Sequence, residues 1–203
     1  MKLYWYAVDL INYRKQILRK KVKSIRDALP NNKRVTLSIK IASRIIRSRF
    51  FDSANCVAAY SSIGSEVDTS FLIAKILNKG KSLLLPALEN NMKALLFYEV
   101  FDYLADTVEG KWGIRQPVRE KCNLVSLSAA DVIIVPGVVF SPQGERIGYG
   151  GGFYDATLPM ARKDACKIGL SFACQIIKDI PVGKRDKLVN AVMCDNAIYG
   201  DTH

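Results

Sequence analysis

The segment Asp131–Asp155, "DVIIVPGVVFSPQGERIGYGGGFYD", decides the fold. It opens on an apolar run, Val132 to Val135, breaks at Pro136–Gly137 and resumes as Val138 to Phe140. A strand buried on both faces requires such a run, and Pro with Gly marks its break or bulge. Four glycines then fall within five positions (148, 150, 151 and 152), preceded by Arg146 and followed by Phe153, Tyr154 and Asp155. Linkers combine glycine with serine, and a hairpin turn needs only one or two glycines. Neither describes a glycine run flanked by bulky aromatics. A buried strand, a glycine loop and a helix start at "FYDATLPMAR" predict instead a loop whose backbone N–H groups point at phosphate oxygens. The helix N-terminus adds partial positive charge. Arg146 can bond the same anion, and Asp155 can hold a Mg2+ that bridges phosphates. This is no Walker loop, because no Lys-Ser/Thr pair follows the glycines.

Outward from this segment, strands alternate with helical stretches. Upstream, Leu18, Val22, Ile25 and Leu29 form the inward stripe of a first helix ended by Pro30. Lys15 and Arg19, four apart, share a neighbouring face of it. A second helix is expected over 33–49 with Val35, Ile39, Ala42 and Ile46 inward. A buried strand follows over 55–62, turning at Gly64. Asp68 or Thr69 caps a helix through "FLIAKILNKG", which Gly80 stops. Residues 81–86 and 94–100 read as strands, 102–128 as loop-rich, 166–172 as a strand and 190–200 as one short final strand. Such alternation predicts an α/β domain with a largely parallel sheet and its ligands beyond the carboxyl ends of the strands.

Composition narrows the chemistry. The 203 residues carry a formal charge of +11. That charge attracts polyanions, although its densest cluster, 14–26, is interleaved with apolar positions at helical spacing. The five cysteines include no C-x-x-C pair, which excludes the usual zinc-ribbon and redox spacings. The one histidine, His203, is the last residue, so His-based nucleophile pairs and metal sites are not expected. No apolar run reaches membrane-spanning length, and "MKLYWYAVDLINYRK" makes a poor signal peptide, so a cytoplasmic location is expected. Taken alone, these residues leave open a phosphate-binding α/β enzyme, such as a sugar-phosphate isomerase, and a basic nucleic-acid-binding module. No RNA or DNA motif supports the latter.

The segment "ERIGYGGGFYD" (145–155) resembles the signature of the 5-formyltetrahydrofolate cyclo-ligase family, also called 5,10-methenyltetrahydrofolate synthetases. "KQILR" (15–19), "SEVDTSFLIAKILNKGKSLLLP" (65–86), "KWGIRQP" (111–117) and "RDKLVNAVMCD" (185–195) are similar to its other motifs, in order, so the resemblance covers nearly the whole chain. It implies a single domain over 1–203 with a three-layer α/β/α, Rossmann-like fold of the CoA-transferase-like kind. It also implies ATP- and Mg2+-dependent ring closure of 5-formyltetrahydrofolate by a monomer, with no nucleic-acid or membrane partner. ATP contacts are implied for Lys15, Arg19, Arg146, Gly148, Gly150, Gly151, Gly152, Phe153 and Tyr154. Substrate contacts are implied for Ser61, Glu66, Trp112, Tyr149 and Tyr154, metal contacts for Asp155 and Asp186, and catalytic roles for Arg146 and Tyr154. The chain departs from the pattern at Asn190, where the family usually has aspartate. That departure leaves an expected C-terminal acidic patch one charge short. Phe153 replaces a common tyrosine.

Overall fold

The computed structural model describes residues 2–88, 92–110 and 113–200, with side chains from residue 9 onward. Two long helices come first, α1 (Lys2–Asp27) and α2 (Asn31–Ile46), then a short α3 (Arg49–Ser53). Strand β1 (Cys56–Ala58), helix α4 (Ser70–Asn78) and strand β2 (Ser82–Ala87) form a βαβ unit with parallel strands. Then come β3 (Leu96–Val100), β4 (Thr107–Glu109), β5 (Arg115–Pro117), β6 (Asn123–Val125) and β7 (Val132–Val135). The chain continues through β8 (Val139–Phe140), β9 (Arg146–Ile147), α5 (Phe153–Thr157) and β10 (Cys166–Ser171) to the hairpin of β11 (Ala191–Cys194) and β12 (Ile198–Gly200).

Among the described residues, eight strands make one sheet in the order β12-β11-β10-β7-β1-β2-β3-β6. The five central strands are parallel, and antiparallel neighbours flank them: β12 on one side, β3 on the other. The period-two pleat distributes the apolar strands between two cores. Val57, Leu83, Leu85, Val132, Ile134 and Ile168 face α2 and α4. Ala58, Leu84, Ile133, Val135 and Val192 face the other way, onto Phe140, Leu158 and the flank of α5. The expected three-layer α/β/α arrangement is therefore present, with the second outer layer built largely from turns and one short helix. No helix among the described residues is long and apolar enough to cross a membrane.

Several expectations need correction. Helix α2 buries Ser38, Ile41, Ala42 and Ile45, whereas Val35 and Ile39 are each 42% exposed. Two overlapping stripes exist in that helix, and the sheet selects the one about 100° away from the more obvious choice. In α1, Ile25 is 44% exposed and Arg26 is only 2% exposed, although both continue a helical face from Val22. The strand expected over 55–62 is three residues long, because beyond Ala58 the chain leaves the ladder. The loop-rich stretch 102–128 contains β4, β5 and β6, strands too short to carry a period-two signal. The final strand is a hairpin that turns at Asp195 and Asn196. The break at Pro136–Gly137 is where expected, separating β7 from β8.

At the amino ends of the parallel strands, opposite the glycine loop, Asp131 ties neighbours together. Its carboxylate accepts backbone N–H bonds from Asn55 (2.7 Å) and Cys56 (2.8 Å) and a bond from Arg162 (2.6 Å). Burial works against its charge, but these donors win and hold its carboxyl below the usual carboxylate range. Its folded-state pKa being depressed, the stabilisation is complete above the unfolded value and disappears as pH falls through the folded one. Asp131→Ala is expected to cost about 1–3 kcal/mol at pH 7 in urea unfolding. That deficit should shrink below about pH 4 as wild type loses the same contribution. A deficit unchanged by acidification would show that the carboxylate charge is not its source.

Candidate active site

The break in β7 builds the site. Beyond Pro136 the chain turns into the β8–β9 ribbon, closed by Phe140 opposite Arg146 and by the Val138 N–H on the Ile147 carbonyl (2.8 Å). The carbonyls of Gly137 and Val138 are satisfied by the buried amide of Gln175 at 3.1 and 3.0 Å. The ribbon thereby returns Arg146 beneath the carboxyl ends of β1, β2 and β7. There a cavity of about 660 Å³ opens against α1. Every described residue that the sequence singles out for a site lines this cavity. Trp112 lies outside the described residues.

Arg146 is 6% exposed. Its Nη2 donates to Asp155 Oδ1 at 2.7 Å and its Nη1 to the Pro136 carbonyl at 3.3 Å, while Nε has no hydrogen-bond partner within the protein. The only other buried side-chain polar atoms without a partner among the described residues are Ser61 Oγ and Tyr154 Oη. All three residues line the one cavity. Buried polar atoms are nearly always paired, so this convergence marks a surface shaped for a polar ligand. Burial, reinforced by the Glu66 charge, pushes the Tyr154 hydroxyl well up, so it is a neutral donor at ordinary pH. The Arg146 guanidinium carbon stands 5.9 Å from the Tyr154 ring centre.

The glycine loop crosses the mouth of the cavity. A Cβ at Gly148 would meet Arg146 Nη1 at 2.7 Å, so a side chain there would push the guanidinium aside. Gly152 ends the loop at φ +72°, a left-handed turn that starts α5. With only five residues, α5 is too short to supply much of the dipole charge expected from a helix N-terminus. Cationic side chains carry that role instead. Phe153 packs into the core beneath the loop.

Helix α1 clasps the site from outside. The Arg19 Nε donates to the Gly148 carbonyl at 2.7 Å, and one turn earlier Lys15 forms an ion pair with Asp186. The Gly183 N–H also donates to Asp186 at 2.6 Å. Asp155, besides meeting Arg146, accepts the Lys187 N–H at 3.2 Å. Two carboxylates thus stand on the wall beside the loop. Among the described residues no cluster of three or more His, Cys, Asp or Glu occurs. Mg2+ needs only one or two protein carboxylates when phosphates and waters complete its shell, so this donor set fits it.

Glu66, 7% exposed, accepts the Ile63 N–H at 2.9 Å, and the Tyr149 hydroxyl is turned towards it. Burial pushes its carboxyl up, opposed by Tyr149, that N–H and the charge of Arg26. Tyr149 as a whole is 44% exposed, but its hydroxyl turns inward to Glu66 and Arg26. Asn190, expected near an acidic patch, lies instead at the amino end of β11. There its Oδ1 accepts the Lys167 N–H at 2.9 Å, and its backbone N–H donates to the Lys167 carbonyl. It keeps strand register and does not line the cavity. Nothing in the sequence singled out Gln175 or Arg26, because a polar residue on a buried face has no periodic signature.

Comparison with known proteins agrees with the geometry. The model of the 5-formyltetrahydrofolate cyclo-ligase family matches residues 11–195. A Caenorhabditis elegans protein named "Probable 5-formyltetrahydrofolate cyclo-ligase" is 32% identical over 93% of this chain and 94% of its own. The Escherichia coli 5-formyltetrahydrofolate cyclo-ligase is 28% identical over 88% and 98%. The solved structure of Aquifex aeolicus 5,10-methenyltetrahydrofolate synthetase superposes with a TM-score of 0.81 at 32% identity, covering 92% of each chain.

The Arg146–Asp155 pair has a measurable consequence without ligand. Asp155→Asn leaves a guanidinium buried without its counter-charge, at a cost of about 1–3 kcal/mol, reduced because the Asp155 side chain is 26% exposed. The double variant Arg146→Met/Asp155→Asn should regain most of that stability in thermal unfolding. A double variant less stable than Asp155→Asn would mean that the pair is not what Asp155 contributes.

Proposed function

The chain belongs to the 5-formyltetrahydrofolate cyclo-ligase family, and on that premise we propose that it closes 5-formyltetrahydrofolate to 5,10-methenyltetrahydrofolate, consuming ATP with Mg2+ and releasing ADP and phosphate. The observation that carries this is the convergence of Arg146 Nε, Tyr154 Oη and Ser61 Oγ, all buried and unpartnered, on one cavity bordered by a glycine loop.

A formamide carbon is a poor electrophile and its oxygen a poor leaving group. Transfer of the γ-phosphoryl to the formyl oxygen breaks the bond to ADP and leaves an iminium-like carbon. The N10 lone pair attacks that carbon, N10 loses its proton, and the C–O bond breaks as phosphate departs with the former formyl oxygen. Such chemistry asks the protein mainly to align two anions and to neutralise charge at the transferring phosphoryl.

The backbone of Gly148 to Gly152 borders the phosphates in this reading, and Lys15 and Arg19 reach them from α1. Arg146, releasing Asp155, turns its fork to the moving phosphoryl. Asp155 and Asp186 would hold Mg2+, whose charge would offset that of the phosphate oxygens. Glu66 accepts from the amino-bearing edge of the pterin, and Tyr149 and Tyr154 offer flat area to the ring system. We read 1–203 as one domain that acts as a monomer in the cytoplasm, its surplus charge serving folate and nucleotide anions rather than nucleic acid. The sheet, which gathers strands from Cys56 to Gly200, supports the single domain.

The test follows methenyl-folate absorbance with purified protein, 5-formyltetrahydrofolate and Mg-ATP. Absorbance should rise only with both substrates, stop on chelation of the metal and resume with added Mg2+. Arg146→Ala should lower turnover by about 10²–10³-fold. Formation of product without ATP, or a near wild-type Arg146→Ala, would sink the assignment.

A further inference from the structure

Arg26 is not explained by the fold or by any role assigned above. It is 2% exposed and sits on the α1 face that otherwise buries Leu18 and Val22, where an apolar residue would pack without needing partners. A buried guanidinium is costly unless its hydrogen bonds and its charge are met. Arg26 does not line the cavity. Its partners instead surround Glu66. The Nε donates to Ser65 Oγ at 3.0 Å, the residue immediately before Glu66, and Ser65 Oγ in turn donates to Asp27. On the other side, the guanidinium carbon stands 5.9 Å from the Tyr149 ring centre. The Tyr149 hydroxyl is turned towards Glu66 and Arg26, whose charges both act on it. Arg26 thus fixes Glu66 from two directions without touching the space that Glu66 faces.

The groups acting on Glu66 come from four elements. Arg26 approaches from α1 and Tyr149 from the glycine loop, while Tyr60 follows β1 and Tyr154 belongs to α5. All three tyrosine hydroxyls are pushed up by burial first and by the Glu66 charge second, so they stay neutral over the working range. That leaves Arg26 as the cation acting on Glu66. Burial favours the protonated form of Glu66, a poorer acceptor for a donor-rich ligand edge, and it is opposed by the Tyr149 hydroxyl, by the Ile63 N–H and, after them, by the charge of Arg26.

We propose that Arg26 is a positioning residue for the substrate site: from behind the cavity wall it holds Ser65 and the Tyr149 ring, and through them keeps the adjoining Glu66 carboxylate aimed at the substrate. The proposal rests on Glu66 being the acceptor for the pterin edge, as read above. Tyr149 is the part of the device that moves. In the free protein its hydroxyl occupies Glu66, and the substrate takes that place while Arg26 stays.

Two measurements test this. In ligand-free protein carrying carbon-13 in its glutamate side chains, NMR titration of the Glu66 carboxyl should move upward in Arg26→Met and Arg26→Gln. In Arg26→Lys it should stay near wild type. This arm stands whether or not the chain closes the folate ring, so its outcome is separate from that of the assay above. In the assay, the acid limb of kcat/KM for 5-formyltetrahydrofolate should shift upward by the same amount. The loss below that limb should fall on KM by about tenfold, with kcat changed by no more than about twofold. Glu66→Gln should abolish the limb. A role confined to packing would lower thermal stability and move neither titration. An unshifted Glu66 carboxyl in a folded neutral variant overturns the proposal, as does a wild-type acid limb in Glu66→Gln. Should both neutral variants fail to fold, Ser65→Ala, which removes the Nε partner of Arg26, takes their place: it should raise KM severalfold with kcat little changed, and an unchanged KM overturns the proposal.

Discussion

A central strand that stops inside a sheet leaves carbonyls that must find donors, and the site grows from that constraint. Where β7 ends, the Pro136 carbonyl takes Arg146 Nη1, and the Gly137 and Val138 carbonyls take the Gln175 amide. Unpaired, each would cost roughly 1–3 kcal/mol in such surroundings. One of these donors is a cation, so satisfying the backbone also places a positive charge under the cavity. Arg146 in turn requires Asp155, which draws the start of α5 and the loop around Lys187 to the same place. Structural need and reactive potential are here one set of bonds.

The same logic repeats around the wall. Lys15 meets Asp186, Arg146 meets Asp155, and Arg26 acts on Glu66. Lys15 and Arg146 each have their own acid in the free protein, while Arg19 meets the Gly148 carbonyl, so much of the charge on the wall stands in couples rather than bare. A polyanion arriving with a divalent cation can exchange partners with such couples: phosphates for acids on the arginine and lysine, metal for bases on the carboxylates. Charge is conserved through the exchange, which limits the desolvation that a single unpaired charge would demand.

The glycine loop, the broken strand and the parallel sheet were legible in the sequence because each rests on composition. Runs of β-branched residues, Pro–Gly and clustered glycines have few alternative uses. That Lys15 and Arg19 share a face followed from their spacing, and their place at the site from the family resemblance. The inward face of α2 was misjudged because Val35 and Ile39 outweigh Ser38 in hydropathy, yet Ser38 is 2% exposed and its hydroxyl oxygen accepts the Asp68 N–H. Arg26 was passed over for Ile25 for the same reason. The concern raised by Asn190 disappears because that residue lies at the opposite ends of the strands, a fact of three-dimensional register that no local pattern encodes.

The spacing of residues on α1 also limits how this chain can vary. Lys15, Arg19, Val22 and Arg26 follow one another at intervals of four, three and four, and each meets a different part of the molecule: the 183–186 loop, the glycine loop, the small apolar cluster around Val138, and the wall behind Glu66. One residue inserted or removed within 15–26 would rotate everything on one side of it by about 100° and separate the two groups of contacts. Substitutions there act singly, but a change of length acts on all four at once. Evolution can therefore edit this helix by exchange and hardly at all by insertion or deletion, a constraint of phase rather than of chemistry.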